Sequence, residues 1–248
     1  MPHANQMKPS KPNGPQGYVV ELTRRWAKRA FKLLIGIAIV MHIYALLLRF
    51  VPSPGSILMM QRSFSGVDIS RNWTRLEDIS PHLVRAVIAA EDSKFCAHSG
   101  IDFAAIQTAL KDRADGKALR GASTITQQTA KNAFFWNGGG LVRKAGEAWF
   151  ALVIDTGWGK RRVIEHYLNL AEWGDGLFGA EAAAQARFGK AANALTAREA
   201  ALLAAVLPSP NKWRLDPPSS YVRQRAGTLQ ARMNVVDGEG LAACVLKR

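Results

Sequence analysis

Between Leu33 and Leu48 the chain reads LLIGIAIVMHIYALLL, sixteen residues without a formal charge, closed off by Lys32 and Arg49. A helix that crosses a bilayer needs about 20 apolar residues, with a lower limit of about 17. Phe31, Phe50 and Val51, with the aliphatic stems of Lys32 and Arg49, supply the missing length. The stretch therefore predicts one transmembrane helix over residues 30–51. His42 is its one polar intruder and reads as a neutral imidazole facing a partner or the headgroups. A cleaved signal peptide competes for the same segment. Its flanks argue against cleavage: the basic lead is long, and Arg49-Phe50-Val51-Pro52-Ser53-Pro54-Gly55 offers no small-x-small site. Lys8, Lys11, Arg24, Arg25, Lys28, Arg29 and Lys32 all precede the span, so the positive-inside rule puts residues 1–29 in the cytosol as a basic tail. The first fifteen residues, rich in Pro, Asn, Gly and Lys, read as disordered. Residues 52–248 are then an extracytoplasmic domain.

The charge agrees with a membrane partner. Lys and Arg number 33 against 19 Asp and Glu, a net +14. Residues 1–51 hold eight of the cations and one acid, Glu21, leaving 25 cations against 18 acids downstream. Half the excess sits in a fifth of the length, which favours an anionic lipid surface over nucleic acid. Two cysteines, Cys96 and Cys244, define no disulfide framework and lack the paired spacing of a zinc site.

Past the span, helical signals follow one another with short breakers, and few runs alternate as strands do, so the domain reads as mainly α. Ser80-Pro81 is an N-cap with proline at the first helical position, opening a helix that runs toward Phe95. Asp102 caps a second, with Ile101 and Ile106 placed for a hydrophobic staple. Thr196-x-x-Glu199 is a capping box heading an Ala/Leu helix that stops at Pro208. Residues 112–121 read as a mobile basic loop, and a basic, Arg-rich helix is expected beyond Pro217-Pro218.

Three clusters carry candidate chemistry. Val84, Val87 and Ile88 continue at helical spacing into Glu91, so that carboxylate lies on a face meant for burial. Such a group is paired with a cation or helix N–H groups, or lines a cleft with its protonation altered by desolvation. Asp92 and His98 follow as local hydrogen-bond partners. In Gly121–Asn132, Thr124, Gln127, Gln128 and Lys131 occupy i, i+3, i+4 and i+7, where a core stripe belongs. A solvated surface is the bland reading. A sugar- or phosphate-binding face, with Ser123 and Thr124 at a helix N-terminus and Lys131 as point charge, is the sharper one. Arg143 and Lys144 precede Glu147, which starts an apolar stripe through Phe150, Ala151 and Ile154. Their pairing is an ordinary exposed i,i+4 contact or an inward carboxylate flanked by cations. Val163, Ile164, Tyr167 and Leu168 form one face of a scaffold helix whose start, Lys160-Arg161-Arg162, reads as solvated.

These residues resemble those of the peptidoglycan glycosyltransferases, glycosyltransferase family 51. Glu91-Asp92-Ser93-Lys94-Phe95-Cys96-Ala97-His98-Ser99-Gly100 is similar to the family's EDxxFxxHxG signature, Gly121 to Gln128 to GxSTxxQQ, and Arg143-Lys144-x-x-Glu147 to RKxxE. Lys160 to Asn169 is similar to KxxIxxxYxN with Val163 in the Ile place, and Phe188-Gly189-Lys190 before LTAREAALLAAVLPSPN completes the order over about residues 65–215. Ala122 stands for a usual Gly, Cys96 for a common aromatic or Pro, and Arg187 for an aromatic.

The resemblance implies a mainly α, lysozyme-like fold with a membrane-apposed small lobe, in the bacterial inner membrane with its catalytic domain periplasmic. It implies polymerisation of lipid II with inversion and release of undecaprenyl diphosphate. Glu91 would be the general base, and Glu147 would act beside the donor diphosphate. Ser123, Thr124, Gln127, Gln128, Lys131, Arg143 and Lys144 would hold donor sugar and diphosphate, and Asp92 and His98 would join the substrate-binding set. No cofactor is required, with room for a divalent cation, Mg or Mn, at Glu147. The partners implied are lipid II, the growing strand, the bilayer, and penicillin-binding or division proteins, since no room for a transpeptidase domain is expected after residue 215. A lysozyme-like lytic hydrolase and a non-enzymatic glycan-binding subunit are the alternatives.

Overall fold

The computed structural model describes residues 15–116 and 121–246, in two compact units, Met1–Tyr44 and Ala45–Arg248. The first unit is helical from Pro15 and belongs to a single helix, α1 (Pro15–Leu48). This helix starts well before the expected residue 30, because nothing between Tyr18 and Phe31 breaks it. It ends at Leu48, three residues short of the expected boundary. Leu33, Leu34, Ile37 and Val40 are all exposed, so the helix has no protein core of its own to cover them, as suits a membrane anchor. The expected disorder of the first residues lies, up to residue 14, outside the described residues.

The second unit is mainly helical: α2 (Ile57–Phe64), α3 (Pro81–Glu91), α4 (Phe103–Ala114), α5 (Ile125–Phe134), α6 (Gly140–Trp158), α7 (Lys160–Leu170), α8 (Ala180–Phe188), α9 (Ala197–Val206) and α10 (Ser220–Gly238). The predicted caps form. Ser80 accepts from His82 N, Asp102 from Ala105 N, and Thr196 and Glu199 cap each other reciprocally. One difference is at residues 112–121. Asp112 to Ala114 complete α4, Asp115 and Gly116 make a turn, and the predicted mobility of 117–120 lies outside the described residues.

Two helical clusters meet. In one, α3 packs on α9 and α10; in the other, α5 packs on α6 and α7. Leu83, Val84, Val87 and Ile88 of α3 and Ala200, Leu203 and Ala204 of α9 are fully buried in the first, while Ile125, Ile154, Val163 and Ile164 fill the second. A small sheet of order β1-β3-β2 flanks them. Strand β1 (Ser70–Arg71) pairs in parallel with β3 (Leu177–Phe178), and β2 (Glu172–Gly174) pairs antiparallel to it with a bulge between Glu172 and Gly174. Arg187, the departure from an aromatic, lies over Gly174, where a Cβ would come within 2.5 Å of its Nη2.

The start of the second unit is gripped by side chains. Trp158 Nε1 donates to Ala45 O at 2.7 Å, Arg162 donates to Leu48 O and Val51 O, and Arg71 donates to Ser53 O and Pro54 O. Lys160 bonds Asp155 at 2.7 Å and His98 O at 2.6 Å, and Arg161 bonds Val245 O. Lys160 and Arg162, half-buried, are thus structural ties and not the solvated start expected, while Arg161 is exposed as expected and still reaches Val245 O. The two cysteines, unassigned by sequence, are joined: Cys96 is disulfide-bonded to Cys244.

Candidate active site

Glu91 is the last residue of α3, brought by the buried Val84-Val87-Ile88 stripe to the seam between the two clusters. Gln128 Nε2 on α5 donates to Glu91 Oε2 at 2.8 Å, and Tyr167 on α7 donates its hydroxyl to Gln128 Oε1 at 3.4 Å. The amide therefore presents its donor to the carboxylate. Burial pushes the Glu91 carboxyl above its ordinary range and Asp92 adds to the push, while the Gln128 hydrogen bond and the Arg225 charge pull it back. Burial holds the Tyr167 phenol well above its usual value, so it stays a donor. Glu91 lines a cavity of about 680 Å³ with Asp92, Lys94, Ala105, Arg225 and Arg232, and a smaller one of about 220 Å³ with Asp102, Ser123 and Thr124.

Asp92 leaves the helix for another task. His98 Nε2 sits 3.0 Å from both of its carboxylate oxygens, and Asp92 Oδ2 accepts from Ile125 N, the first helical N–H of α5, at 3.0 Å. Thr124 accepts from Gln127 N and donates to Gly100 O at 2.6 Å, while Gln127 Oε1 accepts from Thr124 N. Thr124 and Gln127 are both buried and form a capping box, and Asp92 already occupies the start of α5, so their side chains have a structural task there, while Thr124 also lines the smaller cavity beside Glu91. Gly100 makes the loop fit, with φ +82° and a Cβ position 2.7 Å from Ala151 O.

Glu147 lies inward on α6, 2% exposed, on the face of Phe150, Ala151 and Ile154. Arg143 Nη1 pairs with its Oε1, and Lys144 Nζ lies 3.4 Å from its Oε2. The exposed surface pair is thus excluded. Lys144 Nζ also donates to Ser123 Oγ at 2.8 Å. Burial and then the Arg143 charge pull the Lys131 ammonium below its usual value, and the same causes, with Lys131 added, pull down Lys144. Lys131, Arg143 and Lys144 therefore form one mutually repelling cluster, in which Glu147 pairs with Arg143 and Lys144. Ser123 joins the two halves: it bonds Lys144 and lines the smaller cavity with Glu91. Sequence reasoning missed Arg225, for which no local signal exists, and took Tyr167 for scaffold alone.

Against known proteins, the family model described as Transglycosylase matches residues 59–234. The chain belongs to the transglycosylase family. The biosynthetic peptidoglycan transglycosylase of Rhodospirillum centenum is 52% identical over 223 residues, 90% of this chain and 96% of that protein. Proteins of the same name from Caulobacter vibrioides and Pseudomonas entomophila are 48% and 51% identical, over 81% and 78% of this chain and 87% and 84% of theirs. The matched transglycosylase segment contains both carboxylates, the cation cluster and Arg225.

Proposed function

We propose that this transglycosylase is a peptidoglycan glycosyltransferase of cell wall synthesis, polymerising lipid II into β-1,4 glycan strands and releasing undecaprenyl diphosphate. The observation that carries the reading is the linkage, through Ser123, of a desolvated carboxylate to a cluster of three cations. In the reaction, the acceptor's 4-hydroxyl oxygen bonds to the donor's anomeric carbon as the bond to the diphosphate oxygen breaks. Glu91 takes the hydroxyl proton, and its lifted proton affinity suits a base working near neutrality. Lys131, Arg143 and Lys144 absorb the charge of the departing diphosphate, which needs positive charge more than a proton. One displacement on one face inverts the anomeric centre. Glu147 orients Arg143 and Lys144, and Asp92 with His98, Thr124 and Gln127 holds the loop and the α5 start that aim Glu91 and Gln128.

A divalent ion at Glu147 fits poorly. Both of its oxygens face cations, and no group of three His, Cys, Asp or Glu side chains able to hold a metal occurs among the described residues.

The lipid-linked substrates are confined to a bilayer, and the apolar helix α1 suits a single inner-membrane span with the catalytic domain periplasmic. The disulfide supports that side, since such bonds persist in oxidising compartments. Exposed Phe64, Leu141, Val142 and Trp149 suit a lipid-facing surface. Confinement in one plane supplies proximity. Crosslinking partners of the penicillin-binding or division type are testable by co-purification.

The lift on Glu91 alone would equally suit the protonated acid of a lytic hydrolase, but that reaction gives the cations no task. Purified protein supplied with lipid II should yield polymer, and supplied with sacculi should release nothing. Glu91→Gln should abolish polymerisation and retain substrate-analogue binding; solubilised sacculi, or substantial turnover by the variant, would overturn the assignment.

A further inference from the structure

Helix α10 was legible only as basic, yet it walls the cavity that holds Glu91. Val222, Ala226, Leu229, Met233 and Val236 are buried at helical spacing against α3 and α9, leaving Arg225 and Arg232, seven residues apart, on the cavity side. The helix is tied down near its end by Arg85 and Asp237 at 2.8 Å, and Cys244 beyond it is bonded to Cys96 in the loop after Glu91. Arg225 is itself fixed. Its Nε donates to Ala205 O, near the end of α9, at 3.2 Å, and its guanidinium carbon lies 5.7 Å from the Trp213 ring centroid. Among the described residues no carboxylate forms a salt bridge with it.

We propose that Arg225 is a positioning residue of the transfer reaction: held on the cavity wall by Ala205 O and Trp213, it is the standing counter-charge of Glu91. The inference rests on the base role proposed for Glu91. The titratable and polar groups that share its cavities or bond its partner are Asp92 beside it, Lys94 in the following loop, Asp102 before α4, Asp112 of α4, Gln128 of α5, Tyr167 of α7, and Arg225 and Arg232 of α10. Within this set burial, and then Asp92, favour the protonated acid, Gln128 and then Arg225 favour the carboxylate, and Arg225 is the cation whose charge pulls on it from the shared cavity. A largely desolvated base needs such an opposing charge to remain available for a proton. Arg225 does so without touching the reacting atoms. It also explains why a helix outside the family-like motifs is fastened so firmly to the catalytic loop.

The test titrates Glu91 directly, as the infrared carboxyl signal of the full chain in detergent minus that of Glu91→Gln, beside the pH profile of lipid II polymerisation. Arg225→Met, which keeps an aliphatic stem over Trp213, and Arg225→Gln should move the Glu91 titration and the acid limb of the profile to higher pH. On that limb the loss should be about tenfold for each pH unit by which the titration moves, and should shrink toward the alkaline plateau. Arg225→Lys should restore both readouts. Arg232→Gln, in the same cavity, should leave the titration in place. A Glu91 titration that is the same in wild type, Arg225→Met and Arg225→Lys, or one moved equally by Arg232→Gln, overturns the proposal. A wild-type protein whose Glu91 responds to Arg225 but which makes no polymer overturns the functional reading instead.

Discussion

Replacing Glu147 by Gln removes one charge and almost no volume from the centre of the cationic cluster. Glu147 is 2% exposed, whereas the side chains of its partners Arg143 and Lys144 are 18% and 47% exposed. Breaking a fully buried pair costs about 3–5 kcal/mol. Solvent reaches Lys144 in particular, so we discount the cost here to about 2–3 kcal/mol. In a domain of this size that lowers the melting midpoint by roughly 5–10 °C. The variant also leaves Arg143 and Lys144 without their shared carboxylate, still repelling each other and Lys131. An anion that binds among them then relieves more strain than in the wild type. The assay is thermal melting of the full chain in detergent, followed by circular dichroism, with and without inorganic pyrophosphate. Pyrophosphate should raise the midpoint of Glu147→Gln more than that of the wild type, while polymerisation falls because the two cations are no longer oriented. A midpoint unchanged by the substitution, or equal stabilisation of both proteins by pyrophosphate, would refute the view that Glu147 organises an anion site.

Two further outcomes follow from groups outside the reaction. The Cys96–Cys244 bond closes a sequence separation of 148, worth about 5 kcal/mol on a chain-entropy account and about 2–5 kcal/mol in practice; Cys96→Ala/Cys244→Ala should lose that much in urea unfolding, and a loss under about 0.5 kcal/mol would mean that packing alone holds the C-terminal turn. His166 is fully buried, and burial, then the Arg162 charge, push its imidazole down to about 3. The unfolded chain binds that proton below about pH 6.5 and the native state refuses it until about 3, so stability present above 6.5 is lost as pH falls, by at most about 1.4 kcal/mol per pH unit. His166→Phe should flatten that slope, and an unaltered slope would assign the acid sensitivity elsewhere.

What was readable in the sequence was whatever is settled within four or five residues. Ser80-Pro81, Asp102 and Thr196-x-x-Glu199 start helices because each cap satisfies N–H groups just ahead of it. The inward aim of Glu91 and Glu147 was readable because apolar neighbours at helical spacing fix the buried face. The capping box of Thr124 and Gln127 was not read although Thr-x-x-Gln is itself a capping pattern: a polar stripe at spacing three and four looks the same whether it reaches a ligand or the backbone N–H groups of its own helix. The end of α3 was placed too late because Asp92 is drawn off by Ile125 N, thirty-three residues away. The strands β1, β2 and β3, of two or three residues, are too short to show alternation. The cysteine pairing and the placement of Arg225 exist only in the tertiary structure, and nothing local announces either.

The grip on the first residues of the catalytic unit has a practical side. Ala45 and Leu48 are buried in it, and the carbonyls of Ala45, Leu48, Val51, Ser53 and Pro54 are all claimed by Trp158, Arg162 and Arg71. This stretch is masonry, not a leash. Anyone excising the anchor to obtain a water-soluble enzyme, or grafting a foreign one, has to cut upstream of Ala45, or three donors are left facing empty space.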